Sequence, residues 1–320
     1  MMQEQGSQKQ SHLRVLFQKY ASVLILVVLM GIMGVASPYF FTLNNLLTVG
    51  VQTSVNAVLA LGMLMVIIVG GIDLSIGANL ALSGILAAYL MRAGVPLWAA
   101  LLLSISSGAV LGYINGFLVT TMKLPPFIAT LGTTGVYRGV ALVVTNGLPV
   151  SELPDHISWF GQGSILWIPV PIVVMAVVAV VIHYVLAHTV LGRYTYAIGS
   201  NVEATRLSGI KTARYTRTIY TIEGVLACIA GVILLGRLSV AQPTAANGYE
   251  LNAIAAAVIG GASMMGGSGS VVGTIVGALI MAVLSNGFTL VGFNTFFQQL
   301  AIGVVLIFAV YFDVLQRRRR

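Results

Sequence analysis

The chain is constrained most by a succession of apolar runs, most of them close to bilayer length, with short polar breaks between them. A helix crossing the hydrocarbon core needs about 20 apolar residues, because nothing in that layer can hydrogen-bond an exposed backbone. Such runs are read at Tyr20–Val35, Gln52–Val69, Ser75–Met91, Leu97–Met122, Phe127–Val144, Ile168–Ala187, Tyr215–Leu238, Ala253–Met264, Val271–Phe288 and Thr295–Phe312. They predict about ten spans, the eighth short enough to be re-entrant. Charged residues are only 8% of the chain and hydrophobic ones 58%, whereas a soluble domain is about a quarter charged. The expected fold is an all-α polytopic membrane protein, about ten transmembrane helices with broken or re-entrant helices.

The basic residues suggest an orientation. Lys9, Arg14 and Lys19 precede the first run, Arg193, Arg206, Lys211, Arg214 and Arg217 occupy a polar island at 188–217, and Arg317–Arg320 close the sequence. Loops rich in Lys and Arg stay on the cytoplasmic side, so an even number of spans puts both ends there. Lys123 falls on the same side, whereas Glu152, Asp155 and Glu250 fall in outer loops. Arg92 and Arg237 come out at the outer ends of spans, where long side chains can snorkel. The expected divisions are a cytoplasmic tail (1–19), a transmembrane domain (20–316) containing the 188–217 loop, and a basic cytoplasmic tail (317–320). With no small-residue cleavage site after it, Val23–Val35 reads as a retained span, not a removed signal. Trp159 and Trp167 of the outer loop Asn146–Trp167 are expected at the membrane interface. The net charge of +8 flanks spans without stacking aromatics around it, which argues against nucleic acid. The lone Cys228 offers neither a disulfide nor a redox pair.

Within the island, Asn201–Ile210 reads as a short helix, with Ser200 or Asn201 as N-cap and Gly209 as its stop. A short helix on a basic cytoplasmic loop suits docking by a soluble partner, and it is also what an ordinary loop shows. The loop alone does not choose.

Several polar residues interrupt the apolar runs. Asp73 in Gly70-Gly71-Ile72-Asp73-Leu74-Ser75 cannot face lipid cheaply, so it caps a helix, pairs, or lines a water-filled path. Capping is the favoured role, with the amides at Ser75–Gly77 as donors. Arg138 and Glu223 both fall inside spans; pairing with each other would resolve both costs, and so would a functional relay. Gln52, Asn56, Asn79, Asn115, Thr130, Thr133, Thr134, Asn286, Gln298 and Gln299 give the amides and hydroxyls that a neutral sugar needs, and such groups also glue helices together. No GxxxxGK[ST] loop is present, so this chain cannot by itself energise transport with ATP. There is no HExxH, and His12, His156, His183 and His188 are badly spaced for a metal. The spans hold no chain of carboxylates for a proton-driven carrier. Two stretches are weakly alike, Val55-Asn56-Ala57 leading to Gly70-Gly71 and Leu251-Asn252-Ala253 leading to Gly260-Gly261 and Gly266-Gly267. Glycine-broken segments at matching places of two halves point to a transporter's central pathway, although glycine is common in membrane helices.

A set of motifs spread over residues 35–312 resembles the permeases of ribose-type sugar ABC importers. They include Asn44-Asn45-Leu46, Gln52-Thr53-Ser54-Val55-Asn56-Ala57, Gly71-Ile72-Asp73-Leu74-Ser75-Ile76-Gly77, Pro126-Phe127-Ile128-Ala129-Thr130-Leu131, Leu191-Gly192-Arg193-Tyr194 and Gly248-Tyr249-Glu250-Leu251. The resemblance implies a type II-like importer permease for a ribose-like monosaccharide, paired with a second permease as homodimer or heterodimer in the bacterial inner membrane. Its partners would be a periplasmic sugar-binding protein and a cytoplasmic ATPase with two nucleotide-binding domains, which alone binds ATP and Mg. It makes the island a coupling loop, with Asn201, Glu203, Ala204, Arg206, Leu207 and Gly209 touching the ATPase. The residues assigned to the solute pathway are Gln52, Asn56, Asp73, Asn79, Asn115, Phe127 and Thr130. Departures from the pattern are Val202 where a Glu is usual, Asn252 for an Asp, Ser268 for a basic residue and Glu223 for a small one. The competing expectations are a furanone-type signalling sugar or another small solute in the same class, an ion-coupled secondary carrier, and a membrane scaffold or sensor.

Overall fold

A computed structural model describes residues 22–318. The expected N-terminal tail (1–19), the start of the first run, and Arg319 and Arg320 lie outside the described residues. The chain folds as α1 (Ser22–Ala36), α2 (Leu43–Ile68), α3 (Ile76–Arg92), α4 (Leu97–Thr120), α5 (Pro126–Thr145), α6 (Trp159–Gln162), α7 (Val170–His188), α8 (Val190–Ser200), α9 (Val202–Leu207), α10 (Thr212–Leu238), α11 (Tyr249–Ile259), α12 (Val271–Leu290) and α13 (Thr295–Arg318). A two-residue antiparallel pair, β1 (Ser164–Ile165) with β2 (Ile168–Pro169), is the one departure from helix among the described elements.

Each expected apolar run contains a helix over most of its described residues, but the helices differ in reach. Among the described residues, 6 helices are long and apolar enough to cross a membrane: α2, α4, α5, α7, α10 and α12. Four apolar helices are shorter: α1, α3, α11 and the stretch Phe296–Tyr311 of α13. The expected count of about ten spans is therefore not reached by these criteria. The bundle is built around α2 and α10. Their membrane-length windows are strongly apolar, and 83% and 78% of these windows are buried, as expected of helices surrounded by protein. The outer helices α4, α5 and α7 bury about a third or less of theirs. Where α4 meets α10, Gly108 and Gly112 face Gly224, and a Cβ at Gly108 would lie 2.5 Å from the Gly224 carbonyl. Small residues four apart let two membrane helices approach backbone to backbone.

Several boundaries move. Helix α2 starts at Leu43, so Asn44 and Asn45 lie inside it, where Asn45 donates to the Phe40 carbonyl at 2.8 Å and exchanges hydrogen bonds with Asn286 of α12. Helix α11 starts and stops early, because its chain turns at Gly260-Gly261, the latter at φ +92°. The polar island holds two helices and the beginning of α10, not one short helix. Its first helix, α8, begins at a Thr189 side chain that accepts from the Gly192 amide, and it buries Gly192, Thr195 and Ile198 against the bundle.

Candidate functional site

Helix α9 is held at both ends by local chemistry. Asn201 is extended (φ −161°, ψ 100°) and its side chain accepts from the Ala204 amide at 2.9 Å, so Asn201 and not Ser200 is the N-cap. Gly209 at φ +81° closes the far end, its amide bonding to the Arg206 carbonyl. Thr205 alone is buried, while Val202, Glu203, Ala204, Arg206 and Leu207 are exposed. Leu207 is 78% exposed. Glu203 and Arg206 form a two-bond ion pair at 2.5 and 3.1 Å, and Arg206 holds the Glu203 carboxyl below the usual carboxylate range. An apolar side chain beside an ordered ion pair on a protruding turn is suited to protein docking.

The segment is tied to the bundle through backbone. A Cβ on Gly199 of α8 would collide with the Ile68 carbonyl and stand 2.5 Å from the Gly267 amide. That amide donates to the same Ile68 carbonyl at 2.9 Å. A Cβ on Gly266 would stand 2.8 Å from the Gly199 carbonyl and 3.2 Å from the Cα of Gly70. Tyr196 adds a hydrogen bond to the Gly269 carbonyl at 2.9 Å. The two glycine breaks read in the sequence, at Gly70 and at Gly266-Gly267, thus converge on the helix preceding α9.

Just beyond the first break lies a closed polar network. Asp73 is fully buried, and its carboxylate accepts from the Ser75 amide and hydroxyl, each at 2.7 Å, and from the Asn115 amide at 2.8 Å. It does not cap α3 as expected, because Ser75 occupies the cap position and Asp73 bonds no amide beyond Ser75. Tyr137 bonds the Asn115 carbonyl oxygen at 3.3 Å, and Thr130 bonds the Ile72 carbonyl at 3.2 Å. The expected Arg138–Glu223 pair does not form. Arg138 donates to the carbonyls of Pro243 and Ala245 at 2.6 and 2.8 Å and faces Glu250. Glu223, 1% exposed, faces the Asp73 carboxyl instead, and neither of its oxygens completes a well-formed hydrogen bond. Two carboxyls therefore share one buried site, where two uncompensated charges would be costly.

A separate cavity of about 560 Å³ opens between α2, α11, α12 and α13. This lies within the range of small-molecule sites, about 300–1,000 Å³. Gln52, Asn56, Asn252, Gln298, Gln299 and Arg237 line it. The side-chain oxygens of Asn56 and Asn252 are buried there without a hydrogen-bond partner, leaving acceptors free for hydroxyl groups. The structure thus divides the expected pathway residues. Gln52 and Asn56 share this cavity, Asp73, Asn115 and Thr130 belong to the closed network, Asn79 is buried with both amide atoms unpartnered, and Phe127 is exposed on α5. Arg237 and Asn252 were not assigned to a pathway from sequence. The matching positions of Asn56 and Asn252 in the two similar stretches were the available signal.

The family described as "Branched-chain amino acid transport system / permease component" matches residues 45–310. The chain belongs to this permease family. The permease is 46% identical over 296 residues to the ribose import permease protein RbsC of Escherichia coli K12, covering 91% of this chain and 92% of that one. It is 45% identical over 313 residues to the protein of that name from Bacillus subtilis 168, covering 97% of both. The D-allose transport system permease protein AlsC of E. coli K12 is 38% identical over 312 residues, covering 97% of this chain and 96% of that one. No solved structure matches the permease. Together with its apolar helices, this membership makes it a multi-pass membrane transport protein.

Proposed function

We propose that this chain is the membrane-spanning permease subunit of an ATP-driven importer for a monosaccharide, ribose or a close relative. The observation that carries the reading is 46% identity, along nearly the whole chain, to a ribose import permease. The cavity's amide-rich lining, in which Arg237 is the one charged side chain, supports a neutral polyol as solute. In this reading Gln52, Asn56 and Asn252 meet the sugar, while Asp73, Asn79, Asn115 and Thr130 hold the helices around it. Phe127 faces a second permease chain, as do Gly132, Gly135 and Gly139 of α5, which have nothing packed on them. Helix α9 docks on a cytoplasmic ATPase with two nucleotide-binding domains, through Asn201, Glu203, Ala204, Arg206, Leu207 and Gly209. ATP and Mg are bound by that partner. Closure of its two domains draws α9 and α8 along, and the backbone contacts at Gly199 pass the movement to both glycine breaks, biasing the pathway between outward and inward access. A periplasmic sugar-binding protein delivers the solute, and both termini lie in the cytoplasm of a cell whose inner membrane holds the complex.

A mild-detergent pull-down of the tagged chain tests the assembly. Recovery of an ATPase carrying two nucleotide-binding domains is expected, and a second, different permease alongside would make the complex a heterodimer. Recovery of the chain alone, still moving solute in vesicles under an ion gradient without ATP, would replace the importer with a secondary carrier.

A further inference from the structure

Between α4 and the first turns of α10 the surface opens into a hollow of about 650 Å³. Arg206, Lys211, Arg214 and Arg217 line it together with Tyr113 and Thr218, and no carboxylate does; the Thr218 hydroxyl donates to the Arg214 carbonyl at 3.0 Å. Among the described residues the one ion pair these cations make is that of Arg206 with Glu203. Arg217 uses its Nε on the Ala213 carbonyl at 3.2 Å, which leaves its terminal N–H groups for a ligand. The first turn of α10 has no acidic residue and no side-chain cap, so its amide dipoles add to the positive potential. The Arg214 and Arg217 guanidinium forks and the Lys211 ammonium, with no carboxylate paired to them among the described residues, match the oxygens of a phosphate.

The surroundings indicate where that phosphate comes from. Gly116 of α4 packs on Arg217, whose Cα would lie 2.8 Å from a Cβ there. The cations therefore stand beside the last turns of a helix long and apolar enough to cross a membrane. From Tyr113 back along α4, Val110, Ser106 and Leu103 are exposed at spacings of three and four residues, forming one continuous, mostly apolar stripe. Cations at the end of a span with such a stripe leading away from them are complementary to a headgroup and its acyl chain.

We propose that this hollow is a binding site for an anionic phospholipid, its phosphate held by Lys211, Arg214 and Arg217 and an acyl chain lying on Tyr113, Val110 and Leu103. The site needs only that the chain spans a membrane, so its failure leaves the transport reading standing. The test is native mass spectrometry of the purified full-length chain in detergent after incubation with phosphatidylglycerol or phosphatidylcholine. Retention of phosphatidylglycerol and not phosphatidylcholine is expected, undisturbed by excess inorganic phosphate. The double variant R214Q/R217Q should weaken retention about 30-fold, the loss expected for two cations at a membrane surface. R214K/R217K should keep most of it, and K123Q, outside the hollow, all of it. If R214Q/R217Q fails to insert, K211Q alone is read, with a loss of about fivefold. Equal retention of the two lipids, or undiminished retention in the Gln variants, would overturn the proposal. Displacement by inorganic phosphate would overturn it in favour of a soluble anion, and displacement by added ATPase in favour of a protein contact.

Discussion

Gly199→Ala tests the connection between α9 and the glycine breaks most sharply. The new Cβ would overlap the Ile68 carbonyl oxygen and stand 2.5 Å from the Gly267 amide, so backbone must move on at least one side. Overpacking of this kind costs about 1–3 kcal/mol. Parting Gly267 from Ile68 removes a hydrogen bond worth about 1 kcal/mol. The gain in helix propensity from Gly to Ala returns about 1 kcal/mol, leaving a net loss of about 1–3 kcal/mol. Gly84→Ala is the control, because Gly84 lies within α3 with nothing within 4 Å of its added Cβ. The assay pairs thermal unfolding in detergent with sugar uptake and ATP hydrolysis by the assembled complex. Gly199→Ala should unfold a few degrees lower and hydrolyse ATP with much reduced uptake, while Gly84→Ala matches or exceeds the wild type in both. Wild-type uptake and stability in Gly199→Ala would refute the transmission route.

Other predictions follow from the same geometry. Asn201→Ala removes the α9 cap at a cost of about 1 kcal/mol, and uptake should fall while the protein still inserts; unchanged uptake counts against α9 as the docking element. Glu203→Arg replaces the ion pair with a repulsion and should uncouple hydrolysis from uptake, which paired assays on the complex read directly. Asp73→Ala strands the donors of Ser75 and Asn115, each at about 1–3 kcal/mol, so detergent stability should fall without a change in solute range. Glu223→Gln removes a carboxyl facing Asp73 and should leave stability unchanged or raised; marked destabilisation would show that the carboxyl has a partner. Asn56→Ala and Asn252→Ala should weaken sugar uptake without lowering stability, since both oxygens are unpartnered, and wild-type uptake in both would remove the cavity from the pathway.

Local chemistry was readable in the sequence and long-range pairing was not. The α9 cap at Asn201 and stop at Gly209 depend on a few neighbouring residues, and the apolar runs declare themselves by length. Helix α8 is hard to read because Arg193, Tyr194 and Tyr196 give it the polarity of a loop, although Thr189 is a good N-cap. As isolated charges, Arg138 and Glu223 predict a pair. Arg138 instead bonds carbonyls freed by the irregular chain at Pro243 and Ala245, and Glu223 points into the α2–α3 break. The interruptions at Gly70-Gly71 and Gly266-Gly267 were visible, but not their meeting at Gly199, which depends on how α2, α8 and the α11–α12 loop are folded together. Of the amides scattered through the spans, only packing separates Gln52 and Asn56 in an open cavity from Asn115 in a closed network.

The most direct test of the central claim is uptake of radiolabelled ribose into vesicles holding this chain with its ATPase and supplied with the sugar-binding protein. The account predicts uptake only when ATP is available to the ATPase, with none driven by an ion gradient alone. Equal uptake with and without ATP, or uptake by this chain in the absence of any ATPase, would contradict it.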